Sequence, residues 1–433
     1  MNDPIYLIVH KDHPFDIYGA NAGAEMAVRS LAQYLAKAGK KVILAVQAVN
    51  DSFASDEIVV DGVTYWSLGE DFNVTSILSR VRKLGYYNLI SSCRAHALLE
   101  ARYDDSCLAR IYMSHNRNAS DAGVNLLVVS HVADFLVCVS NAHAAEFRAE
   151  GVPSQKLKVI HNGVDHLVFE ASDPDSRNYR NIVFAGALVQ DKGIHLLIQS
   201  FVHLKHKYPD LSLNIYGSAS LWGRKPFIDE NEIQKNVRGV TFHGKVTQDA
   251  IADAYKKAGI CVVPSIWFEA FPLTAIEAQV TGCPVLAFGV GGLPEAVRHN
   301  ETGIILNEIS TEALTKGLDD LLSNKERLKQ FSKQALATAR PYFNWDRVAN
   351  SVIELCQTSA KLSGVKYHYQ SQVKQQQHAG SDLNASDNAR SERVGVVSEN
   401  FSVIIKAPKP FGVDDSYTFT FAKKLSQGLS KRL

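Results

Sequence analysis

The sequence predicts an α/β protein built from two Rossmann-like, doubly wound domains that face a cleft between them. Three observations predict it. Short apolar runs alternate with segments of helical period from residue 5 to about residue 340. The alternation breaks at Val159-Ile-His-Asn-Gly-Val-Asp165, a candidate hinge followed by the polar, proline-containing stretch Ser172–Asn181, and then begins again. In each half a glycine-bearing turn follows the first strand, where a parallel sheet presents backbone N–H groups to a ligand.

In the first half the apolar runs at residues 5–10, 41–47, 58–60 with 63–66, 88–91, 108–113 and 135–139 read as strands. Between the first two, Gly23–Gly39 carries Ala24, Ala27, Val28, Leu31, Leu35 and Ala38 on one helical face. In the second half the strands are Asn181–Ala185, Leu211–Tyr216, Val240–His243, Gly259–Val263 and Val285–Phe288. The helices between them fall at 193–207, 247–257, 272–281, 293–298 and 310–339, and 341–360 forms one more amphipathic helix. The expected organisation is an N-terminal Rossmann-like domain over 1–170, a second Rossmann-like domain over 171–340 and a helix at 341–362 returning to the first. Residues 363–400, with Gln375-Gln-Gln377 and few apolar side chains, read as a disordered linker, and 401–433 as a basic amphipathic tail.

Composition narrows the class. A chain of 433 residues with 46% hydrophobic and 21% charged residues can bury sizeable cores. Lysine and arginine number 46 against 45 acids, a net charge of +1, which argues against a dedicated nucleic-acid binder. Cys93, Cys107, Cys138, Cys261, Cys283 and Cys356 are scattered, with no C-x-x-C pair, so they read as buried thiols in a reducing compartment. The chain enters its first strand without a basic, apolar leader, and no run approaches the roughly 18 apolar residues of a membrane span. The expected location is cytoplasmic, and the N-x-S/T triplets at Asn73, Asn118, Asn300, Asn384 and Asn400 then carry no meaning. In the tail, Phe421, Leu425, Leu429 and Leu433 share one helical face beside Lys423, Lys424, Lys431 and Arg432. Such a helix suits peripheral contact with an anionic membrane surface, or docking on protein.

The most specific chemistry lies in Glu269-Ala-Phe-Pro-Leu-Thr-Ala-Ile-Glu277, followed by Gly282-Cys-Pro-Val and Gly289-Val-Gly-Gly-Leu-Pro-Glu295. Pro272 reads as the first turn of a helix that Gly282 and Pro284 close. Acids beside a phosphate-binding helix end repel the ligand unless they bind something else on it, such as sugar hydroxyls; the plain alternative is a solvated Glu269 and a Glu277 that complements the helix dipole. Gly19 and Gly23, between the first strand and its helix, can cradle a diphosphate or form an ordinary turn. Lys192, before Gly193, can pair with a phosphate oxygen or stand in solvent. His115, after a strand in Tyr112-Met-Ser-His-Asn-Arg117, can meet a sugar hydroxyl or take a proton near the reacting carbon; a polar surface histidine is the plain alternative. No histidine or cysteine lies at metal-ligand spacing, so no metal is expected.

Taken in order, these motifs resemble the retaining glycosyltransferases of the GT-B fold, in the group called family 4, over about residues 5–360. Val139-Ser-Asn, Ile160-His-Asn-Gly-Val-Asp165, Lys192-Gly193 and Phe343-x-Trp345 belong to the same resemblance. It implies that Glu277 binds the donor ribose and Glu269 the donor sugar, and that Lys192 with Gly19 to Gly23 holds the diphosphate. It also implies that His115 lies near the anomeric carbon and that Phe271 and Leu273 offer amides to phosphate or sugar. Two positions depart from the family: Ala187 stands where an arginine is usual, with Arg224 or Lys225 as replacement cations, and Gly19 and Gly23 are four residues apart rather than adjacent.

The expected function is transfer of a sugar from a nucleotide-diphosphate sugar, UDP- or GDP-linked, to a glycan, lipid-linked or small-molecule acceptor, with retention and without a cofactor. The rivals are a sugar-nucleotide epimerase or phosphorylase on the same fold, and a catalytically weak GT-B binding subunit.

Overall fold

Two separate sheets order the described part of the chain. The computed structural model describes residues 3–17, 23–48, 57–67, 73–115, 124–218 and 228–360. Gly19, Arg224, Lys225 and the whole of 361–433, including the proposed linker and basic tail, lie outside them.

The first sheet contains β1 (Ile5–Phe15), β2 (Val42–Ala48), β3 (Glu57–Val60), β4 (Val63–Ser67), β5 (Tyr87–Ser92), β6 (Cys107–Ser114), β7 (Phe135–Cys138) and β8 (Leu157–Val159). Its order is β3-β4-β2-β1-β5-β6-β7-β8, parallel except for the β3–β4 hairpin. The second contains β9 (Asn178–Ala185), β10 (Ser212–Tyr216), β11 (Val240–Phe242), β12 (Ala258–Val263), β13 (Val285–Phe288) and β14 (Gly303–Leu306). Its order, β11-β10-β9-β12-β13-β14, is parallel throughout.

In each sheet the strand order reverses beside the first strand, between β1 and β5 and between β9 and β12. Such reversal points open a crevice at the carboxyl ends of the strands. The helices α1 (Gly23–Lys37), α2 (Val74–Arg82), α3 (Ala95–Glu100), α4 (Leu126–Val132) and α5 (Asn141–Ala149) cover the first sheet. Around the second lie α6 (Ile194–Lys205), α7 (Glu230–Asn236), α8 (Gln248–Lys257), α9 (Leu273–Val280), α10 (Leu293–Ala296), α11 (Thr311–Leu322) and α12 (Lys325–Gln334).

Several expectations shift. The single helix expected over 310–339 is broken: Asn324 caps α12 by accepting from the Arg327 amide at 3.0 Å, which stops α11 at Leu322. A π-turn at Ala335–Ala339 and a short helical stretch at Arg340–Tyr342 follow. The final helix starts at 345 rather than 341, because Asn344 leaves the helical path and caps it by accepting from the Arg347 amide at 2.8 Å. Strands β8 and β14 escaped the periodicity reading because each is a short edge strand.

The first lobe has its core on both faces of its sheet. One face is completed only by the last helix, whose Trp345, Val348, Ala349, Val352, Ile353 and Cys356 pack with Ile8, Leu31, Leu44 and Ile90. The chain thus crosses between lobes twice, and the crossings touch: Val164 bridges Asn344, and a Cβ at Gly163 would lie 2.6 Å from the Trp345 nitrogen. All six cysteines are free and buried. Among the described residues no helix is long and apolar enough to cross a membrane.

Candidate active site

The strand β12 ends at Val263, and the segment after it must turn sharply to enter α9. Pro272 makes that turn in extended conformation, at φ −79° and ψ 109°, so it precedes the helix instead of forming its first turn. No side chain caps α9, whereas α5, α8 and α11 are capped by Ser140, Thr247 and Ser310. An uncapped helix end keeps its first-turn N–H groups, those of Leu273 and its neighbours, available to an anion. The buried ring of Phe271 packs just before it.

Glycines fix the loop that carries Glu269. Gly193 adopts a left-handed φ of 66°, and a Cβ there would lie 1.8 Å from the Pro264 carbonyl oxygen. Gly291, at φ 54°, would put a Cβ 2.1 Å from the Glu269 carbonyl oxygen, and the Gly292 amide donates to that oxygen at 2.7 Å. Only glycine allows these approaches, so the turns after β9 and β13 close on the loop after β12 from both sides. The Ile266 amide donating to Asp191 at 3.0 Å ties the first of them.

Lys192 and Glu269 meet inside this frame. The Lys192 Nζ lies 2.5 Å from Glu269 Oε1, and Ser265 Oγ donates to the same oxygen at 2.5 Å. Both side chains keep part of their surface accessible, 24% for Lys192 and 12% for Glu269, so the pair faces the crevice rather than the core. Glu277 stands one turn into α9, half-buried, and makes no hydrogen bond among the described residues. Burial pushes its carboxyl up to about 7. A carboxylate in this setting gains from any hydroxyl that donates to it.

Across the crevice, Gly23 begins α1, and a Cβ there would rest 3.7 Å from Leu273 Cδ1, so the two helix starts approach each other. His115 follows β6. Neither ring nitrogen finds a partner among the described residues, and the environment is not the polar surface of the plain reading. Burial, with His10 and His143 nearby, lowers its pKa to about 3 against a smaller opposing pull from Glu25. The neighbours are linked pairwise. His10 Nδ1 lies 3.0 Å from Ser92 Oγ and its Nε2 lies 3.5 Å from Glu25 Oε1, while Ser114 Oγ lies 3.4 Å from His143 Nε2. The sequence reading missed this group, although a histidine closing the apolar run of residues 5–10, as His10 does, was a usable signal.

Ala187, at the departure from the family pattern, is buried. Arg224 and Lys225, its proposed substitutes, fall outside the described residues. Among those described, no group of histidine, cysteine and carboxylate side chains is arranged to hold a metal ion.

Comparison with known proteins matches both lobes. Residues 21–166 fit the model for Glycosyltransferase Family 4 and residues 169–338 that for Glycosyl transferases group 1. An uncharacterised glycosyltransferase of Methanocaldococcus jannaschii is 28% identical over 225 residues, 49% of this chain and 56% of that protein. A D-inositol 3-phosphate glycosyltransferase of Paenarthrobacter aurescens is 30% identical over 230 residues, 51% of this chain and 56% of that one. The chain spans about half the length of the curated relatives it matches. Among solved structures, Anabaena HepE in complex with UDP-glucose superposes with a TM-score of 0.66 at 18% identity, covering 82% of this chain and 99% of that one. With one lobe matched by each model and the paired parallel sheets shared with these structures, the chain belongs to the GT-B glycosyltransferases of family 4.

Proposed function

We propose that the protein transfers a sugar from a nucleoside-diphosphate sugar to a hydroxyl-bearing acceptor, with retention at the anomeric carbon. The observation that carries this reading is the meeting of the Lys192–Glu269 pair, the uncapped start of α9 and Glu277 at one strand-order reversal point. In this reading Glu277 accepts from the ribose hydroxyls and Glu269 from hydroxyls of the transferred sugar. Lys192, the Phe271 and Leu273 amides and the turn from Gly19 to Gly23 face the diphosphate.

Breaking the sugar–phosphate bond leaves negative charge on the departing phosphate oxygen. Fixed amides and a lysine stabilise that charge without rearranging. The acceptor attacks from the face the phosphate leaves, and its proton passes to a phosphate oxygen. His115, neutral near pH 7, lines the sugar from the other lobe. No metal or cofactor enters this scheme.

UDP is the first donor nucleotide to try, since HepE is named as a complex with UDP-glucose; GDP is the second. Glycan, lipid-linked and small-molecule acceptors all fit the reading, as do a cytoplasmic location and peripheral contact through 421–433. Calorimetry with UDP and GDP, followed by release of nucleoside diphosphate from the matching sugar donors with and without added acceptor, tests it. Acceptor-dependent release supports transfer, free sugar without acceptor supports an epimerase, and phosphate-dependent release a phosphorylase. Nucleotide binding without turnover on any donor leaves a binding subunit, the reading that Ala187 favours. Absence of any nucleotide binding overturns the proposal.

A further inference from the structure

The Glu295 carboxylate belongs to the second lobe but spends its hydrogen-bonding capacity on the first. It lies on α10, after the glycine turn that closes on Glu269. Its Oε2 accepts from the Asn141 amide at 2.8 Å, from Asn141 Nδ2 at 2.8 Å and from His161 Nε2 at 3.0 Å, and its Oε1 accepts from the Ala142 amide at 2.9 Å. Asn141 and Ala142 open α5, so a carboxylate from one sheet occupies the helix start of the other, where a negative charge is favoured. Burial works against the charged form, but the amides of Asn141 and Ala142 and the His161 ring outweigh it and hold the carboxyl below its ordinary value.

His161 carries the contact onward. Its ring stacks on Phe271 with centroids 4.9 Å apart and planes 7° from parallel, and its Nδ1 lies 3.0 Å from the Tyr342 hydroxyl. His161 and Tyr342 sit on the two crossings between lobes. A second tie runs alongside: Ser140, the cap of α5, donates its hydroxyl to the Ala270 carbonyl at 2.7 Å. The segment Glu269–Phe271 is therefore gripped by Gly291–Gly292 of its own lobe, by Ser140 of the other lobe and by His161 on the crossing. Glu295 joins all three.

We propose that Glu295 is a positioning residue that couples the apposition of the two lobes to the shape of the donor loop, with His161 as the link to Phe271. The proposal rests on the reading of Glu269–Leu273 as the donor loop. When the lobes part at α5, Glu295 loses its amide partners, His161 loses the acceptor that orients it, and Phe271 loses a fixed stacking partner. The amides next to Phe271 then lose their aim. A nucleotide that needs those amides binds best when α5 is docked, so donor binding and lobe closure favour each other.

The test compares wild type with Glu295→Gln, which preserves shape but sets an NH2 group against donors. Amide hydrogen exchange without ligand is read in peptides covering 141–147 and 269–276, and UDP affinity is read by calorimetry. Faster exchange in both segments, with UDP binding weakened about ten-fold, is the expected result. His161→Phe, which keeps a ring on Phe271 but loses the bond to Glu295, should weaken UDP similarly, and the double variant no further than the worse single one. Faster exchange confined to 141–147, or additive losses in the double variant, overturns the coupling. If wild type itself fails to bind UDP or GDP, the donor-site reading falls, while the exchange comparison still decides whether Glu295 shapes this loop.

Discussion

The two strand-order reversal points are built from opposite materials. At β9/β12 the second lobe sets its functional groups with backbone: two left-handed glycines close on one loop, and a helix start is left without a side-chain cap. At β1/β5 the first lobe uses buried side chains instead, with His10 on β1, His115 just after β6, Glu25 in the first turn of α1 and His143 in that of α5. Backbone frames hold an invariant chemical group such as a diphosphate with little freedom to vary. A side-chain cluster can be retuned one residue at a time. In the proposed reading, the contrast suits a donor side that recognises a common nucleotide and an acceptor side free to diverge.

The largest effect expected from breaking this contrast is on the side-chain half. His115→Ala should lower turnover by about 10²–10⁴-fold while leaving UDP affinity within about two-fold, as read by steady-state kinetics beside calorimetry. A matching loss of UDP affinity would place His115 on the donor instead. On the other half, Glu277→Ala should weaken nucleotide binding about 100-fold through the loss of charge-assisted hydroxyl contacts. Unchanged affinity removes the ribose role.

Gly291→Ala ranks next. Its Cβ has no room beside the Glu269 carbonyl, so the variant should lose about 2 kcal/mol of stability and bind UDP more weakly. Gly23→Ala, the corresponding change across the crevice, meets only ordinary contact with Leu273 and should not alter melting measurably. Equal losses at the two glycines would erase the distinction between backbone-framed and side-chain-built halves.

The last prediction concerns pH dependence. With a carboxyl raised to about 7, Glu277 keeps its proton in the native protein over a range where the unfolded chain has released it. Native stability therefore falls as pH rises from the ordinary carboxyl value through 7. Glu277→Gln should melt with wild type at pH 5 and be more stable at pH 8 by about 2 kcal/mol, allowing for the partly solvated carboxyl. Ribose hydroxyls that donate to the carboxylate favour its ionised form, so UDP affinity should rise a few-fold between pH 6 and 8. Any rise that survives in Glu277→Gln belongs to the phosphate, which titrates in the same range.

The fold was legible because both halves repeat a strong pattern: short apolar strands set between amphipathic helices. The candidate site was legible for a related reason, since glycine and proline around Glu269 and Glu277 announce a tight turn whatever surrounds it. What escaped was relational. Nothing adjacent in sequence tells that Lys192 pairs with Glu269, that Glu295 reaches Asn141, or that His10 sits beside Glu25. These contacts arise only when strands far apart in the chain become neighbours. The helix breaks at Asn324 and Asn344 were missed because the apolar period runs on through them, and only the capping bonds show the interruption.

The last helix packs into the first lobe, and this has a consequence for how the protein is made. Trp345, Val348, Val352 and Cys356 fill one face of a core whose other members, such as Ile8 and Leu44, leave the ribosome some three hundred residues earlier. Throughout synthesis of the second lobe, the first carries an open greasy groove that no nearby stretch of chain can fill. The first lobe is thus the earlier to be translated and the later to be finished, and a chain cut short before residue 345 would expose that groove to chaperones, proteases and other copies of itself.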